Sequence, residues 1–140
     1  MYRRVAGALA ATGLAVVGGM HLVWTASPWP WDSGDEFRAA VFGSAETDVP
    51  KIGYVLVGLG TFGAAAMVLG QAGALPRIGS DRLRALAMYT LSGVLLVRGS
   101  AGYFLNSGAS ADFRELNTVV YSPLCLVLGG LTLAVQRTYR

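Results

Sequence analysis

The stretch IGYVLVGLGTFGAAAMVLGQA, residues 52–72, contains no charged side chain. A helix needs about 20 predominantly apolar residues to cross a bilayer. A helix buried in a soluble protein rarely stays apolar around its whole circumference for that length. Residues 52–72 therefore predict a transmembrane helix.

Three more apolar stretches, at residues 5–24, 83–104 and 119–135, are each long enough to cross a membrane. Only 14% of the 140 residues are charged, against about 25% in a typical soluble domain. The sequence therefore predicts one all-α domain over residues 1–140, an integral membrane antiparallel bundle of four transmembrane helices. The first stretch is expected to stay uncleaved, because Trp24 and Pro28 are typical of an interfacial anchor followed by a helix stop.

The basic residues are divided unevenly between the two ends of these helices. One end holds both chain termini and seven arginines: Arg3, Arg4, Arg77, Arg82, Arg84, Arg137 and Arg140. The other end holds three basic residues, Arg38, Lys51 and Arg114. Cytoplasmic loops carry the excess of Lys and Arg. Both termini are therefore expected in the cytoplasm, in a multi-pass protein of the plasma membrane.

The long loop at residues 25–51 then lies on the outer face of the membrane. Within it, residues 35–42 fit two amphipathic helical turns on the membrane surface, and they fit a plain solvated loop with a tryptophan anchor equally well. Loops of this length often carry function, so the segment is also a candidate lid.

Several functions are excluded by composition. The net charge of +3 comes from residues that flank apolar stretches and form no cluster, so no nucleic acid is expected as a partner. A single cysteine, Cys125, and a single histidine allow no intrachain disulfide and no metal site. Residues 58–63 match G-x-G-x-x-G, but they lie inside a predicted span, so no nucleotide or other cofactor is expected.

Arg98 and His21 are the first candidates for chemistry. An arginine near the middle of a membrane helix costs about 2.5–3.5 kcal/mol to insert. Arg98 is expected either to snorkel to the outer headgroups or to stabilise an anion inside the bundle. His21, at a similar depth in the first span, is either a hydrogen-bonded packing residue or a general acid or base.

Other polar and aromatic residues are predicted at the same outer depth. Tyr121 joins His21 and Arg98 as a candidate catalytic residue, and the expected ligand-binding residues are Trp24, Trp31, Tyr103, Asn106 and Asn117. Glu46 or Asp48 from the outer loop could pair with Arg98. A stripe of small residues in the fourth span predicts a helix-packing seam: Thr118, Ser122, Cys125, Gly129 and Thr132.

Short motifs also suggest a family. At residues 21–24 (HLVW), at Arg98 and at residues 121–123 (YSP), the chain resembles small bacterial four-helix membrane proteins catalogued as domain of unknown function 3995, which are frequent in actinobacteria. The resemblance covers nearly the whole chain. It implies the four-span topology and draws attention to His21, Arg98 and Tyr121, but it implies no activity.

Two hypotheses for the function remain open. In the first, a polar pocket in the outer half of the bundle binds or acts on a lipophilic small molecule. In the second, the chain is a structural or accessory subunit that packs against another membrane protein, or against a further copy of itself. Whether the protein is an enzyme is not decided by the sequence.

Overall fold

The computed structural model describes residues 1–139, and these residues are helical without any β-strand. The helices are α1 (Tyr2–Val23), α2 (Gly34–Phe42), α3 (Lys51–Ala72), α4 (Asp81–Ala101), α5 (Ala111–Leu116) and α6 (Ser122–Arg137), with a π-helical turn (Asn117–Tyr121) between α5 and α6. Arg140, which was counted among the basic residues above, lies outside the described part.

Three helices are long and apolar enough to cross a membrane: α1, α3 and the continuous helix Ala111–Arg137. They identify the chain as a membrane protein. The fourth long helix, α4, has 21 residues. Its charged and hydroxyl side chains make it less apolar than the other three, so composition alone does not mark it as a span.

The long helices pack in two pairs. α1 packs along α3 and α4 packs along α6, while contacts between α1 and α6 join the pairs. Both pairs are antiparallel. Gly7 of α1 lies beside Ala72 of α3, and Gly18 lies beside Gly58. In the second pair Ser92 donates to the Gly129 carbonyl, whereas Gly99, later in α4, lies beside Leu126, earlier in α6. α3 and α4 are consecutive in sequence but make little contact with each other.

Small residues let α1 and α3 approach closely. Ala6, Ala10 and Ala11 of α1 are buried in the core together with Leu14. A Cβ atom placed on Gly58 would lie 2.7 Å from the Leu22 side chain and 3.1 Å from the Gly18 carbonyl oxygen. The contact therefore requires the absence of a side chain at position 58, as is usual where membrane helices pack through small residues.

The loop at residues 25–51 forms a short helix that is tied to the rest of the chain. Ser33 caps α2 by accepting a hydrogen bond from the Glu36 amide, and Gly43 ends the helix in a left-handed conformation. Ser110 holds its far end, since its amide donates to the Gly43 carbonyl at 2.8 Å and its hydroxyl to the Ala39 carbonyl at 2.7 Å. Of the two readings of residues 35–42, the helical one is correct.

The last long helix begins earlier than the sequence predicted. The start at residue 119 is wrong, because Ser110 caps a helix that begins at Ala111 and continues to Arg137. Pro123 lacks an amide hydrogen and would break the regular bonding of a continuous α-helix. The π-helical turn lies directly before it and accommodates this interruption.

The Gly58 contact generates a first prediction. Replacing Gly58 by leucine should push α1 away from α3 and lower the free energy of unfolding by about 1–3 kcal/mol, as overpacking of a core does. Gly60→Leu is the matched control, because nothing lies within 4 Å of a Cβ at that position. Thermal unfolding in detergent, followed by circular dichroism, measures both variants. Equal destabilisation of the two would contradict the assigned contact.

Candidate functional site

Asn117 is the centre of a hydrogen-bond network between α4 and α6. It is 1% exposed. Its Nδ2 donates to the Gly102 carbonyl and to Asn106 Oδ1, both at 2.6 Å. Its Oδ1 accepts from Arg98 Nη2 at 3.0 Å and from the Ser122 hydroxyl at 3.3 Å. Both amide donors and two acceptor positions are therefore in use, which is the full capacity of an asparagine side chain.

Two local features of the backbone place this side chain. Asn117 opens the π-helical turn, which inserts an extra residue and turns the side chains that follow. Gly102 ends α4 opposite it. A Cβ on Gly102 would meet the Ser122 hydroxyl and would lie 2.7 Å from Arg98 Nη1. The glycine therefore leaves the space in which the polar groups converge.

Arg98 is exposed on α4, and the network holds its guanidinium from one side only. The two ion pairs within residues 1–139 are Arg38–Asp35 and Arg84–Asp81. The expected pairing of Arg98 with Glu46 or Asp48 is therefore wrong. Asp48 is too far away because it lies just before the start of α3, beside Lys51, and α3 makes little contact with α4.

The two predicted tyrosines lie around this network. The Tyr103 hydroxyl is 3.5 Å from the Thr118 carbonyl oxygen, a long contact between the residues that follow α4 and the π-helical turn. The Tyr121 hydroxyl donates to the Ala40 carbonyl of α2 at 3.2 Å. Tyr121 thus connects the last long helix to α2.

His21, Trp24 and Trp31 belong to a second cluster, which is aromatic. Its centre is Phe37 of α2, 6% exposed, whose ring centroid lies 5.1 Å from Trp24, 5.7 Å from Trp31 and 6.0 Å from Tyr54. His21 joins through Trp24 at 4.9 Å. Sequence reasoning missed Phe37 and Tyr54, although the apolar face of the predicted amphipathic turns could have drawn attention to Phe37.

The contacts of His21 limit its chemistry. Its Nδ1 lies 2.8 Å from the Val17 carbonyl oxygen one turn earlier. A carbonyl oxygen only accepts, so Nδ1 carries the proton in this contact and leaves Nε2 as the free ring nitrogen. His21 and Arg98 have no hydrogen-bond partner in common.

An open cleft of about 360 Å³ lies beside the aromatic cluster. Trp24, Phe37 and Tyr54 line its apolar side, and Arg38 and Asp48 are among its charged residues. His21, Arg98 and Tyr121 are not part of its lining. The predicted site residues therefore fall into two clusters at one end of the molecule. α2 contributes Phe37 to the aromatic cluster, and its Ala40 carbonyl accepts from Tyr121.

A third polar group, at the opposite end, was missed by sequence reasoning. Gln71 of α3 is 1% exposed, and its side-chain amide nitrogen, Nε2, donates to Gln136 Oε1 of α6 at 2.9 Å. Arg84 of α4 donates from Nε to Gln71 Oε1 at 3.3 Å and forms the ion pair with Asp81. This network joins three helices near the chain termini. The sequence did contain a signal for this network, because Gln71 and Arg84 are polar residues at the ends of predicted spans.

Comparison with known sequences places the chain in a family. The family model described as a protein of unknown function (DUF3995) matches residues 14–132. The chain belongs to this family. The DUF3995 match includes the aromatic cluster and the whole Asn117 network. No curated protein matches the chain. No solved structure matches it either.

The crowding at Gly102 generates a second prediction. Gly102→Ala should displace Arg98 and Ser122 from Asn117 and lower the free energy of unfolding by about 1–3 kcal/mol, the range for leaving buried polar groups unpaired. Gly93→Ala, on the same helix, meets nothing within 4 Å and should be neutral or slightly stabilising. Thermal unfolding of both variants in detergent provides the comparison. A stable Gly102→Ala would show that the network does not need this space.

Proposed function

We propose that this DUF3995 protein is an antiparallel bundle of four transmembrane helices with both termini in the cytoplasm of its host. The lengths of α1, α3, α4 and the helix Ala111–Arg137 support four spans. The charges of α4 lie near its ends, and residues 85–97 carry none. The excess of arginine at the end with the termini supports the orientation, and the plasma membrane is the membrane that fits this topology.

The function we propose for the bundle is binding of a lipophilic small molecule with an anionic or strongly polar head at Arg98. The observation that carries the proposal is a guanidinium held on one side by a fully bonded, buried asparagine and exposed on its other side. No carboxylate in the described part of the chain pairs with it. A charge placed this way in a membrane needs a partner, and a lipophilic anion provides one.

Neighbouring side chains supply an apolar surface for the rest of such a ligand. Val94 and Val97 precede Arg98 on α4 and are 61% and 69% exposed. Phe104, 83% exposed, follows it at the outer end. Tyr103 and Tyr121 offer hydroxyl groups close by, whereas Asn117 has no free hydrogen-bonding capacity and acts as a positioning residue. Trp24 and Trp31 remain proposed ligand contacts in the neighbouring aromatic cluster.

Binding fits this geometry better than catalysis. A reaction with His21 as acid or base and Arg98 as anion stabiliser needs both groups at one reacting centre. Their contacts lie in different clusters, His21 against Trp24 and Arg98 against Asn117. We therefore assign Arg98 a role in recognition.

The alternative role, an accessory subunit of a membrane complex, needs a packing seam that is free to receive a partner. Most of the predicted seam is occupied within the chain. Ser122, Gly129 and Thr132 are buried, and a Cβ on Gly129 would lie 3.1 Å or less from Leu95 and Leu96 of α4, whereas Thr118 is exposed. The seam therefore serves mainly to join α6 to α4, which favours the binding role over the accessory one.

The four-span topology is tested by labelling single cysteines. In a Cys125→Ser background, Ser44→Cys and Ser107→Cys should react with a membrane-impermeant maleimide on intact cells, because both positions lie in outer loops. Thr138→Cys should react only after lysis. If Ser107→Cys instead behaved like Thr138→Cys, α4 would not cross the membrane.

The binding proposal is tested on protein purified gently from its host membrane. Native mass spectrometry of the wild type should reveal a bound molecule of defined mass. Its occupancy should fall by about tenfold or more in Arg98→Ala, which corresponds to loss of a hydrogen bond to a charged group. Arg114→Ala, an exposed arginine at the same end, should keep the molecule.

Membrane insertion and helix content of both variants serve as the control for folding. A wild-type chain that carries only bulk lipid would contradict the proposal. Co-purification of a second protein of fixed stoichiometry, unaffected by Arg98→Ala, would support the accessory role instead.

A further inference from the structure

A groove of about 570 Å³ separates α3 from α4 at the end where the chain termini lie. It exists because each of these helices packs against a different neighbour, α3 against α1 and α4 against α6, and little contact joins them. Residues 73–80 connect the two helices across the bottom of the groove. The groove is therefore a consequence of the paired packing.

The wall of the groove is mostly apolar. Gly63 and Met67 line it on α3, Leu75 on the connection and Leu83 on α4. Nothing lies within 4 Å of a Cβ placed on Gly63, so this part of the groove is open. A water-sized group occupies about 30 Å³, so the 570 Å³ of the groove corresponds to roughly 19 such groups. This is the scale of one acyl chain.

Two arginines, Arg77 and Arg84, line the same groove near the chain termini. Arg84 is 8% exposed and is fixed by Gln71, by the Gly79 carbonyl and by Asp81. Arg77 donates from Nη1 to the Tyr139 hydroxyl at 2.7 Å. The groove thus has guanidinium groups in fixed positions at its polar end.

The surroundings of this end are strongly cationic. The guanidinium carbons of Arg3 and Arg77 lie 5.8 Å and 5.3 Å from the centre of the Tyr139 ring, so one aromatic side chain holds two arginines together. Arg4, Arg82 and Arg137 lie at the same end, and Asp81 is the one acidic residue there among residues 1–139. A ligand that fits this end must be anionic.

The connection itself has the character of a segment in contact with lipid. Ile78 is 88% exposed and Leu75 is 44% exposed, and they stand on either side of Arg77. Apolar side chains alternating with a basic one are typical of segments that sit at the boundary of headgroups and acyl chains. The groove therefore opens where a phospholipid carries its phosphate.

We propose that the α3–α4 groove binds an anionic phospholipid of the leaflet at the chain-termini end. One acyl chain lies along Gly63 and Met67, and the phosphate lies against Arg77. Basic pockets between membrane helices recognise anionic headgroups in this manner. The site shares no residue with the Arg98 site, so either proposal can fail without the other.

The test counts phosphatidylglycerol and phosphatidylcholine bound to the full chain by native mass spectrometry, after delipidation and addition of each lipid in detergent. The wild type should retain phosphatidylglycerol preferentially. Arg77→Gln should lower its occupancy about fivefold, the effect of about 1 kcal/mol per arginine at an anionic membrane surface. Arg137→Gln, an exposed arginine at the same end that does not line the groove, should change it much less.

A second pair of variants tests the acyl-chain part of the groove. Gly63→Leu fills the groove and should lower phosphatidylglycerol occupancy about fivefold through lost apolar contact. Gly60→Leu is one turn away on α3, equally open, and outside the groove lining, so it should bind like the wild type. Circular dichroism of each variant confirms that the helices are intact.

Two sets of results would overturn the proposal. The first is equal retention of the two lipids with no effect of Arg77→Gln, which would show that the groove does not recognise the charge of the headgroup. The second is an equal response of Gly63→Leu and Gly60→Leu, whether loss or no change, which would remove the groove. Arg98→Ala should leave phosphatidylglycerol binding unchanged, and this separates the groove from the outer site.

Discussion

Polar side chains buried among apolar helices must find their hydrogen-bond partners within the protein, because lipid offers none. This constraint organises the present structure. Its buried side-chain amides occur in two networks, one around Asn117 and one around Gln71 and Gln136 at the end where the chain termini lie. Each network connects helices that the apolar contacts alone would leave free to slide. The hydroxyl of Thr132 is the buried side-chain polar atom in the described residues that lacks a partner.

Between the two networks, small residues set the distances. Gly58 brings α3 onto α1, and Gly129 brings α6 onto α4, where the Ser92 hydroxyl donates to its carbonyl at 2.8 Å. Helices that approach closely in pairs cannot all contact one another. The space between α3 and α4 is left by this paired packing, and the connection below it turns through two glycines in left-handed conformation, Gly73 and Gly79.

The sequence predicted the apolar helices well because hydropathy is a property of each residue. Residues 52–72 correspond to Lys51–Ala72, and residues 83–104 to Asp81–Ala101. The last helix was predicted to begin eight residues too late, since residues 111–118 are polar and hydropathy gives no sign of the cap at Ser110. Hydrogen bonds were harder to predict. The hydrogen bond between Arg98 and Asn117 depends on a π-helical turn and on the empty space at Gly102. Neither can be predicted from the depth of a residue along its helix.

Two arginines of α4 show why Arg98 is the stronger candidate for the proposed ligand recognition. Arg84 and Arg98 are each held by a side-chain amide, Gln71 for the first and Asn117 for the second. Arg84 is also neutralised by Asp81 of its own helix, one turn earlier. Arg98 has no such carboxylate among residues 1–139. An amide orients a guanidinium but does not cancel its charge, and an uncancelled charge at a membrane helix is costly. In the function proposed above, the compensating anion comes from outside the chain, either as a headgroup or as a ligand that the fixed guanidinium selects.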